Sequence, residues 1–213
     1  MENEPLRRRE LPPQDMSAPT AVVFHDSSYK HRYSRPGTSR ADLATIVERP
    51  ERIPAATLGV AAAQTRVGRN KLSIRKSVRR GTLADPEVML VHSHAALVKG
   101  GKSPWPEELA AMCDATADKL RIGECEVPKS FHQGDLYLCS ETREDLEGCL
   151  GALYDGVDLV FGENLRNGTI SEDGEESAGV RRAFVCIRPP GWLFPLFGVR
   201  WEGKRTKLGD FIC

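Results

Sequence analysis

The chain has 213 residues, which is enough for one domain with a hydrophobic core. Its 30 basic and 30 acidic side chains cancel, which argues against a dedicated nucleic-acid or membrane-surface binder. Without an apolar run of about 20 residues or a signal peptide, we expect a protein that is neither membrane-spanning nor secreted. The six cysteines form no C-x-x-C pair, which suits buried thiols in a reducing compartment.

The first third of the chain predicts one strand, a long loop, a helix and a second strand. Residues 1–18 are polar and are expected to form a disordered tail. A short apolar run at 21–24 is typical of a buried strand, and the polar stretch 25–48 predicts a long loop. A helix is expected from about residue 49 to 66, and alternation over 72–78 favours a half-exposed strand. The seven Lys and Arg residues between 66 and 80 favour a solvated edge over a binding patch.

The rest of the chain alternates helices and strands. Helices are predicted at 86–98, after Ser103-Pro104, and from Ser140 or Thr142; strands are predicted at 135–139 and 183–187; loops are predicted at 123–134 and 162–181. The helix that begins at Ser140 or Thr142 is expected to bury one stripe of side chains, which comprises Leu146, Cys149, Leu150, Leu153, Val157 and Val160. This alternation indicates an α/β three-layer sandwich around a mostly parallel sheet.

The histidines do not form a convincing metal site. His92 and His94 are two residues apart, which places them on different sides of a helix, so a surface or capping role is favoured over metal binding. His25 and His31 bracket the first loop, where packing or hydrogen bonding is the favoured interpretation.

Five segments, in order, resemble the zinc-dependent histone deacetylases, specifically the fungal class II-like branch. They are Val22-Val-Phe-His-Asp26, Tyr29-Lys-His-Arg-Tyr33, Ile46-Val-Glu-Arg-Pro-Glu-Arg-Ile53, Gly134-Asp-Leu-Tyr-Leu-Cys-Ser140 and Arg182 to Gly191. The resemblance implies the arginase/deacetylase fold, with residues 19–191 as an incomplete, N-terminal part of the domain and 192–213 as a divergent tail. It also implies that the loop 25–48 lines the substrate entrance.

The same resemblance implies hydrolysis of N-acetyl-lysine by a zinc ion held by Asp, His and Asp. A pair of histidines after the Pro-Pro-Gly turn transfers protons in the family, and a Tyr stabilises the oxyanion. Here Trp192-Leu193 follows Gly191, and Asp210 is the last Asp. We therefore assign no catalytic residue and no zinc ligand, and expect this chain to be inactive as it stands. The alternative function is a non-catalytic fragment that binds acetylated peptides or deacetylase partners; a hydrolase using Cys or His is poorly supported.

Two substrate-side positions follow from the resemblance. Asp135 matches the rim residue that hydrogen-bonds the substrate backbone, with a strand-start or capping Asp as the equal alternative. Arg52 matches a buried Arg at the tunnel floor, with a helix-surface Arg as the equal alternative. The implied partner is an acetylated histone or another acetyl-lysine protein, with no direct nucleic-acid or membrane contact, in the nucleus or cytoplasm.

The resemblance stops abruptly at Gly191, which suggests that the tail comes from a retained intron, a frameshift or a truncated gene model. A half domain leaves one face of its sheet partly uncovered. The apolar residues of the tail either collapse onto that face or form an exposed patch; they are Trp192, Leu193, Phe194, Leu196, Phe197 and Trp201.

Overall fold

The computed structural model describes residues 19–92, 104–131, 136–162 and 180–189. The elements in chain order are β1 (Thr20–His25), α1 (Arg40–Thr45), α2 (Arg52–Val67), β2 (Leu72–Ser77), α3 (Pro86–His92), α4 (Trp105–Arg121), α5 (Thr142–Val157) and β3 (Arg182–Cys186). Short 3-10 turns follow β1 and precede β2, and α5 ends in a π-helical turn, Asp158–Gly162.

The three strands of the described ranges form one parallel sheet in the order β2-β1-β3. Val22 of β1 lies opposite Ile74 on one side and Phe184 on the other. Because successive side chains of a strand alternate between faces, Val23 and Val185 point to the opposite face, where they pack on Ala152 of α5. The first crossover runs from β1 to β2, and the second returns in the opposite direction, from β2 past β1 to β3. Right-handed connections therefore place α2 and α5 on opposite faces of the sheet.

Small residues allow α5 to approach the sheet and the loop after β1 closely. A Cβ atom on Gly151 would lie 1.9 Å from the carbonyl oxygen of Arg79, and one on Gly156 would lie 2.7 Å from Val185 Cγ2. Gly148 faces the Ser27 hydroxyl at 1.9 Å in the same way. The predicted apolar stripe is therefore only part of the packed face, and its member Val157 is exposed instead.

A second core lies between α4 and the segment that follows it. Its buried members are Leu83, Trp105, Leu109, Cys113, Val127 and Leu138. Leu146 and Leu150 of α5 pack against this cluster, so α5 contributes to both cores. The helix predicted after Pro104 is confirmed.

Two predicted elements differ from the structure. The part of the 135–139 segment that is described, 136–139, is not a strand, because side chains occupy its backbone groups: Leu138 N–H donates to Glu126 and Cys139 N–H donates to Thr142 Oγ1. The predicted loop 25–48 contains the 3-10 turn Asp26–Tyr29 and helix α1. Residues 93–98 of the predicted helix 86–98, residues 163–179 of the predicted loop 162–181, and both chain tails lie outside the described residues.

Candidate functional site

The carboxyl ends of β1 and β3 meet at one edge of the sheet, as parallel strands require. Ligands of open α/β sheets bind outside this edge. The chain leaves β1 into the first loop, residues 25–48, and leaves β3 into the turn that begins at Arg188. A buried polar network, here called the carboxyl-edge network, joins these two segments; it comprises Ser28, His31, Glu48, Tyr137, Thr142, Asp145 and Arg188.

Arg188 is the centre of this network, with only 1% of its surface exposed. Its Nε donates to Glu48 Oε1 at 2.7 Å. Its Nη1 donates to the carbonyl oxygens of Ser28 at 3.0 Å and His31 at 2.7 Å. One guanidinium therefore holds both ends of the first loop to the turn after β3.

Asp145 anchors the loop from the side of α5. Its Oδ2 accepts a hydrogen bond from the backbone N–H of His31 at 2.9 Å. Burial raises the pKa of the Asp145 carboxyl to about 7, because a charged carboxylate is poorly solvated there. A larger fraction of Asp145 is therefore protonated near neutral pH than of an ordinary exposed Asp, because its pKa is raised.

His31 is a neutral packing residue of the network. Its ring stacks on Tyr137 with centroids 4.5 Å apart and planes inclined by 8°, and its Nδ1 lies 2.9 Å from Thr142 Oγ1. Burial, reinforced by the charge of Arg188, lowers the pKa of His31 to about 3. The predicted hydrogen-bonding role is confirmed for His31, and also for His25, whose Nδ1 accepts from the Ser27 N–H.

A second buried ion pair holds the middle of the first loop. Arg35 donates from Nε and Nη2 to the carboxylate of Glu126, with nitrogen–oxygen distances of 2.8 to 3.0 Å. Arg35 Nη2 also donates to Leu136 O at 2.7 Å, and Glu126 accepts from Leu138 N–H. The loop is therefore fixed at its ends and at its centre.

Two buried thiols, Cys149 beside the network and Cys113 in the second core, are disfavoured as thiolates. Burial raises the pKa of Cys149, whose Sγ donates to Arg188 O at 3.0 Å. Burial also raises the pKa of Cys113 to about 12. A nucleophilic cysteine needs the opposite shift, so these two are structural thiols, as predicted.

Comparison with known proteins decides the family. No family model matches the chain. The chain is similar to histone deacetylase HOS3 of Saccharomyces cerevisiae, with 37% identity over 180 residues. The match covers 82% of this chain and 22% of the yeast protein, so the chain spans about a fifth of the length of the curated relative it matches. The chain belongs to the histone deacetylase family.

The deacetylase fold class is likewise confirmed at the level of the described residues. A parallel sheet with helices on its faces is consistent with part of the arginase/deacetylase fold. None of the helices in the described ranges combines the length and the apolar character that crossing a membrane requires.

The two positions inferred from the deacetylase resemblance have different outcomes. Asp135 lies outside the described residues. Arg52 is the first residue of α2; its side chain is 43% exposed, and its Nη1 donates to Glu48 Oε2. Glu48 thus bridges two arginines, Arg52 on the solvent side and Arg188 on the buried side.

The sequence prediction missed the structural roles of Glu48, Asp145 and Arg188. Asp145 lies in the first turn of α5, where a carboxylate is typical as an exposed charge that stabilises the helix N-terminus, yet it is fully buried. Glu48 lies in a charged run that is typical of a surface. The sequence did contain one indication of this packing, which is the spacing of small residues along α5. Such spacing indicates that other backbone segments approach the helix closely.

Zinc is the metal implied by the family. In the part of the chain that the structure describes, no group of three or more His, Cys, Asp or Glu side chains is placed to hold a metal ion. Glu48 is paired with two arginines, and Asp145 accepts a backbone amide. The described residues therefore do not fit a zinc ion.

Proposed function

We propose that this chain forms the entrance-loop part of a zinc-dependent protein-lysine deacetylase, and that these 213 residues alone do not hydrolyse N-acetyl-lysine. The observation that carries the first half is the 37% identity to a histone deacetylase over 82% of the chain. The second half rests on Trp192-Leu193, which stand where the resemblance places the tandem histidines.

The geometry of the first loop supports a role in shaping a binding site. Two buried ion pairs, Arg188–Glu48 and Arg35–Glu126, hold the loop at the carboxyl edge of the sheet. A wall that is fixed before the substrate arrives loses little entropy when the substrate binds. The loop is therefore suited to line a preformed entrance.

The test of this proposal is a paired measurement on the purified 213-residue chain. We expect no release of acetate from an acetyl-lysine peptide, and less than stoichiometric zinc by elemental analysis after dialysis. Yeast HOS3 under the same conditions is the positive control. Zinc-dependent hydrolysis that a chelator abolishes would show that the chain is an active enzyme.

The second candidate function is binding without catalysis, which the rigid first loop favours. Under this proposal Asp135 hydrogen-bonds the backbone of an acetylated peptide and Arg52 lies near the inner end of the entrance. We expect Asp135→Ala to weaken the binding of a fluorescent acetyl-lysine peptide, measured by anisotropy. Arg66→Ala, at the exposed far end of α2, is the control and should leave binding unchanged. Equal affinity for acetylated and unacetylated peptides would contradict this function.

The partner and the location follow from the same proposal. We expect an acetylated histone or another acetyl-lysine protein as the ligand, in the nucleus or cytoplasm. Imaging of a fluorescently tagged chain tests the location, and accumulation in a secretory compartment would contradict it.

A further inference from the structure

The turn that joins β2 to α3, residues 78–85, contains an exposed hydroxyl group preceded by two arginines. Its sequence is Val78-Arg-Arg-Gly-Thr-Leu-Ala-Asp85. Thr82 is exposed, and the side chains of Arg79 and Arg80 are 46% and 48% exposed. Among all Ser and Thr residues of the sequence, only Thr82 has an arginine both three and two residues before it. The turn therefore presents a hydroxyl group and two cations on one surface segment.

This pattern is the one that basophilic protein kinases recognise. Such kinases bind the two arginines through acidic side chains and prefer an apolar residue directly after the hydroxyl, here Leu83. Residues 78–82 form neither helix nor strand, which suits an enzyme that binds its substrate as an extended segment. Thr38 provides a contrast within the chain, because its one preceding arginine at this spacing, Arg35, is held by Glu126 in a buried ion pair.

The attachment of this turn to the rest of the protein is local. Gly81 N–H donates to Glu147 O of α5 at 2.8 Å, and the Leu83 side chain is buried in the second core. A kinase needs the segment through Leu83, so it acts on a form in which this hydrogen bond is broken and the leucine is exposed. Such a local opening costs less free energy than unfolding of the domain. We therefore expect the folded chain to react more slowly than a free peptide of the same sequence.

We propose that Thr82 is a phosphorylation site for a basophilic protein kinase, and that the phosphate releases this turn from α5. The kinase transfers the γ-phosphoryl group of ATP. A bond forms between Thr82 Oγ1 and the γ-phosphorus, and the bond from that phosphorus to the β–γ bridging oxygen breaks. ADP leaves, and the hydroxyl proton passes to the catalytic base of the kinase. The inference does not depend on the proposed function, because phosphoryl transfer to Thr82 needs neither zinc nor deacetylation.

A phosphate on Thr82 lies next to the carboxylate that now accepts its hydrogen bonds. Asp85 Oδ1 accepts from Thr82 Oγ1 at 2.7 Å, and Asp85 Oδ2 accepts from Thr82 N–H at 2.9 Å. Phosphorylation removes the hydroxyl proton and places a charge of about −1.5 to −2 beside this carboxylate. Repulsion between the two anionic groups therefore opens the turn at Asp85.

The phosphate also competes for the two arginines of the turn. Arg79 Nη1 donates to Asp158 Oδ2 at 2.6 Å, and Arg80 pairs with Glu144. Glu144 belongs to α5 and Asp158 to the turn that ends it, so an arginine that moves to the phosphate leaves α5. Glu144 keeps its ion pair with Lys30 at 2.6 Å, so the first loop stays attached to α5.

Phosphorylation of the intact chain by the catalytic subunit of cAMP-dependent protein kinase, with ATP, tests the site. We expect mass spectrometry to place the phosphate on Thr82, at a rate about tenfold or more above that at Thr38. The variant R79K/R80K keeps both positive charges and therefore the ion pairs with α5. Its rate should fall about tenfold or more, because an ammonium group lacks the planar geometry with which a guanidinium binds carboxylates. A rate equal to that of the parent chain would overturn recognition through the arginines.

Hydrogen exchange of the phosphorylated chain tests the release of the turn. We expect the amides of residues 79–85 to exchange several-fold faster than before phosphorylation, with exchange within α4 unchanged. Kinase-treated Thr82→Ala is the control and should show no change. A folded chain that resists the kinase, while a free peptide of residues 76–86 is phosphorylated, would overturn the site. Phosphorylation of Thr82 that leaves exchange of residues 79–85 unchanged would overturn the release.

Discussion

Arg188 and Glu48 form a buried ion pair across 140 residues of sequence, with Nε and Oε1 2.7 Å apart and side chains only 1% and 5% exposed. The pair joins the turn after β3 to the end of the first loop. Arg52 contacts the other oxygen of the same carboxylate from the solvent side.

Removing Glu48 should therefore be much more damaging than removing Arg52. Glu48→Ala leaves the Arg188 charge buried without its partner, which we expect to cost about 3–5 kcal/mol of unfolding free energy. Arg52→Ala removes a largely exposed ion pair, worth about 0–1 kcal/mol. Urea unfolding followed by circular dichroism measures both. Equal losses of unfolding free energy for the two variants would show that the buried Glu48–Arg188 pair stabilises the protein no more than the exposed Glu48–Arg52 pair.

Two glycine-to-alanine substitutions should change the stability of the protein in opposite directions. Gly151→Ala places a methyl group on the Arg79 backbone, so we expect a loss of about 1–3 kcal/mol. Gly59→Ala, in the middle of exposed α2, meets no atom within 4 Å and should stabilise the protein by about 0.5–1 kcal/mol. Thermal melts of the two variants beside the parent chain check the prediction. Destabilisation by Gly59→Ala would mean that α2 is more tightly packed than it is in the structure.

Asp145 and His31 should give stability an opposing dependence on pH. The pKa of Asp145 is raised on folding, so its contribution is present at low pH and is lost as pH rises from about 4 to about 7. The pKa of His31 is lowered on folding, so its contribution is present above about 6.5 and is lost as pH falls towards about 3. In the parent chain the two trends offset each other over the shared window.

The variant Asp145→Asn separates the two trends. We expect its urea midpoint to rise steadily between about pH 4 and pH 6.5, because the opposing Asp145 dependence is gone and the His31 dependence remains. The parent chain should show a much flatter profile over the same range. Identical profiles for the variant and the parent would remove Asp145 from the titrating groups.

Glu126 should control the accessibility of the first loop to proteases. Glu126→Ala removes the carboxylate that holds Arg35, so we expect trypsin to cleave after Arg40 several-fold faster than in the parent chain. Arg35 itself precedes Pro36, a bond that trypsin does not cleave. Glu141→Ala breaks the exposed pair with Arg32 and is the control, with little change expected. Cleavage rates are read by mass spectrometry of the fragments.

The elements that were predicted correctly are those that depend on residues close together in the sequence. Helices α4 and α5 were found from apolar spacing, and β1 from its short apolar run. The segment 135–139 was predicted as a strand, and its residues 136–139 are a short apolar run typical of one, yet Glu126 and Thr142 bind the amides of Leu138 and Cys139. That competition between side chain and strand depends on residues distant in sequence, and no local pattern carries it.

The carboxyl-edge network could not be predicted from the sequence for a related reason. Glu48, Asp145 and Arg188 are charged residues, and composition assigns charged residues to the surface. They can be buried because each forms a hydrogen bond with a residue that is distant in the sequence. The family resemblance located the turn at Arg188 but gave no indication of which groups its guanidinium binds.

The strand order has a consequence for the synthesis of the chain. Among the described strands, β1 comes first in the chain and is the central one, and its partner β3 begins 162 residues later. A ribosome adding roughly 5–20 residues per second needs about 8–32 seconds to make that stretch. Throughout this interval one edge of β1 is available to chaperones and to other nascent chains, so the rate of translation sets the time during which mispairing competes with folding.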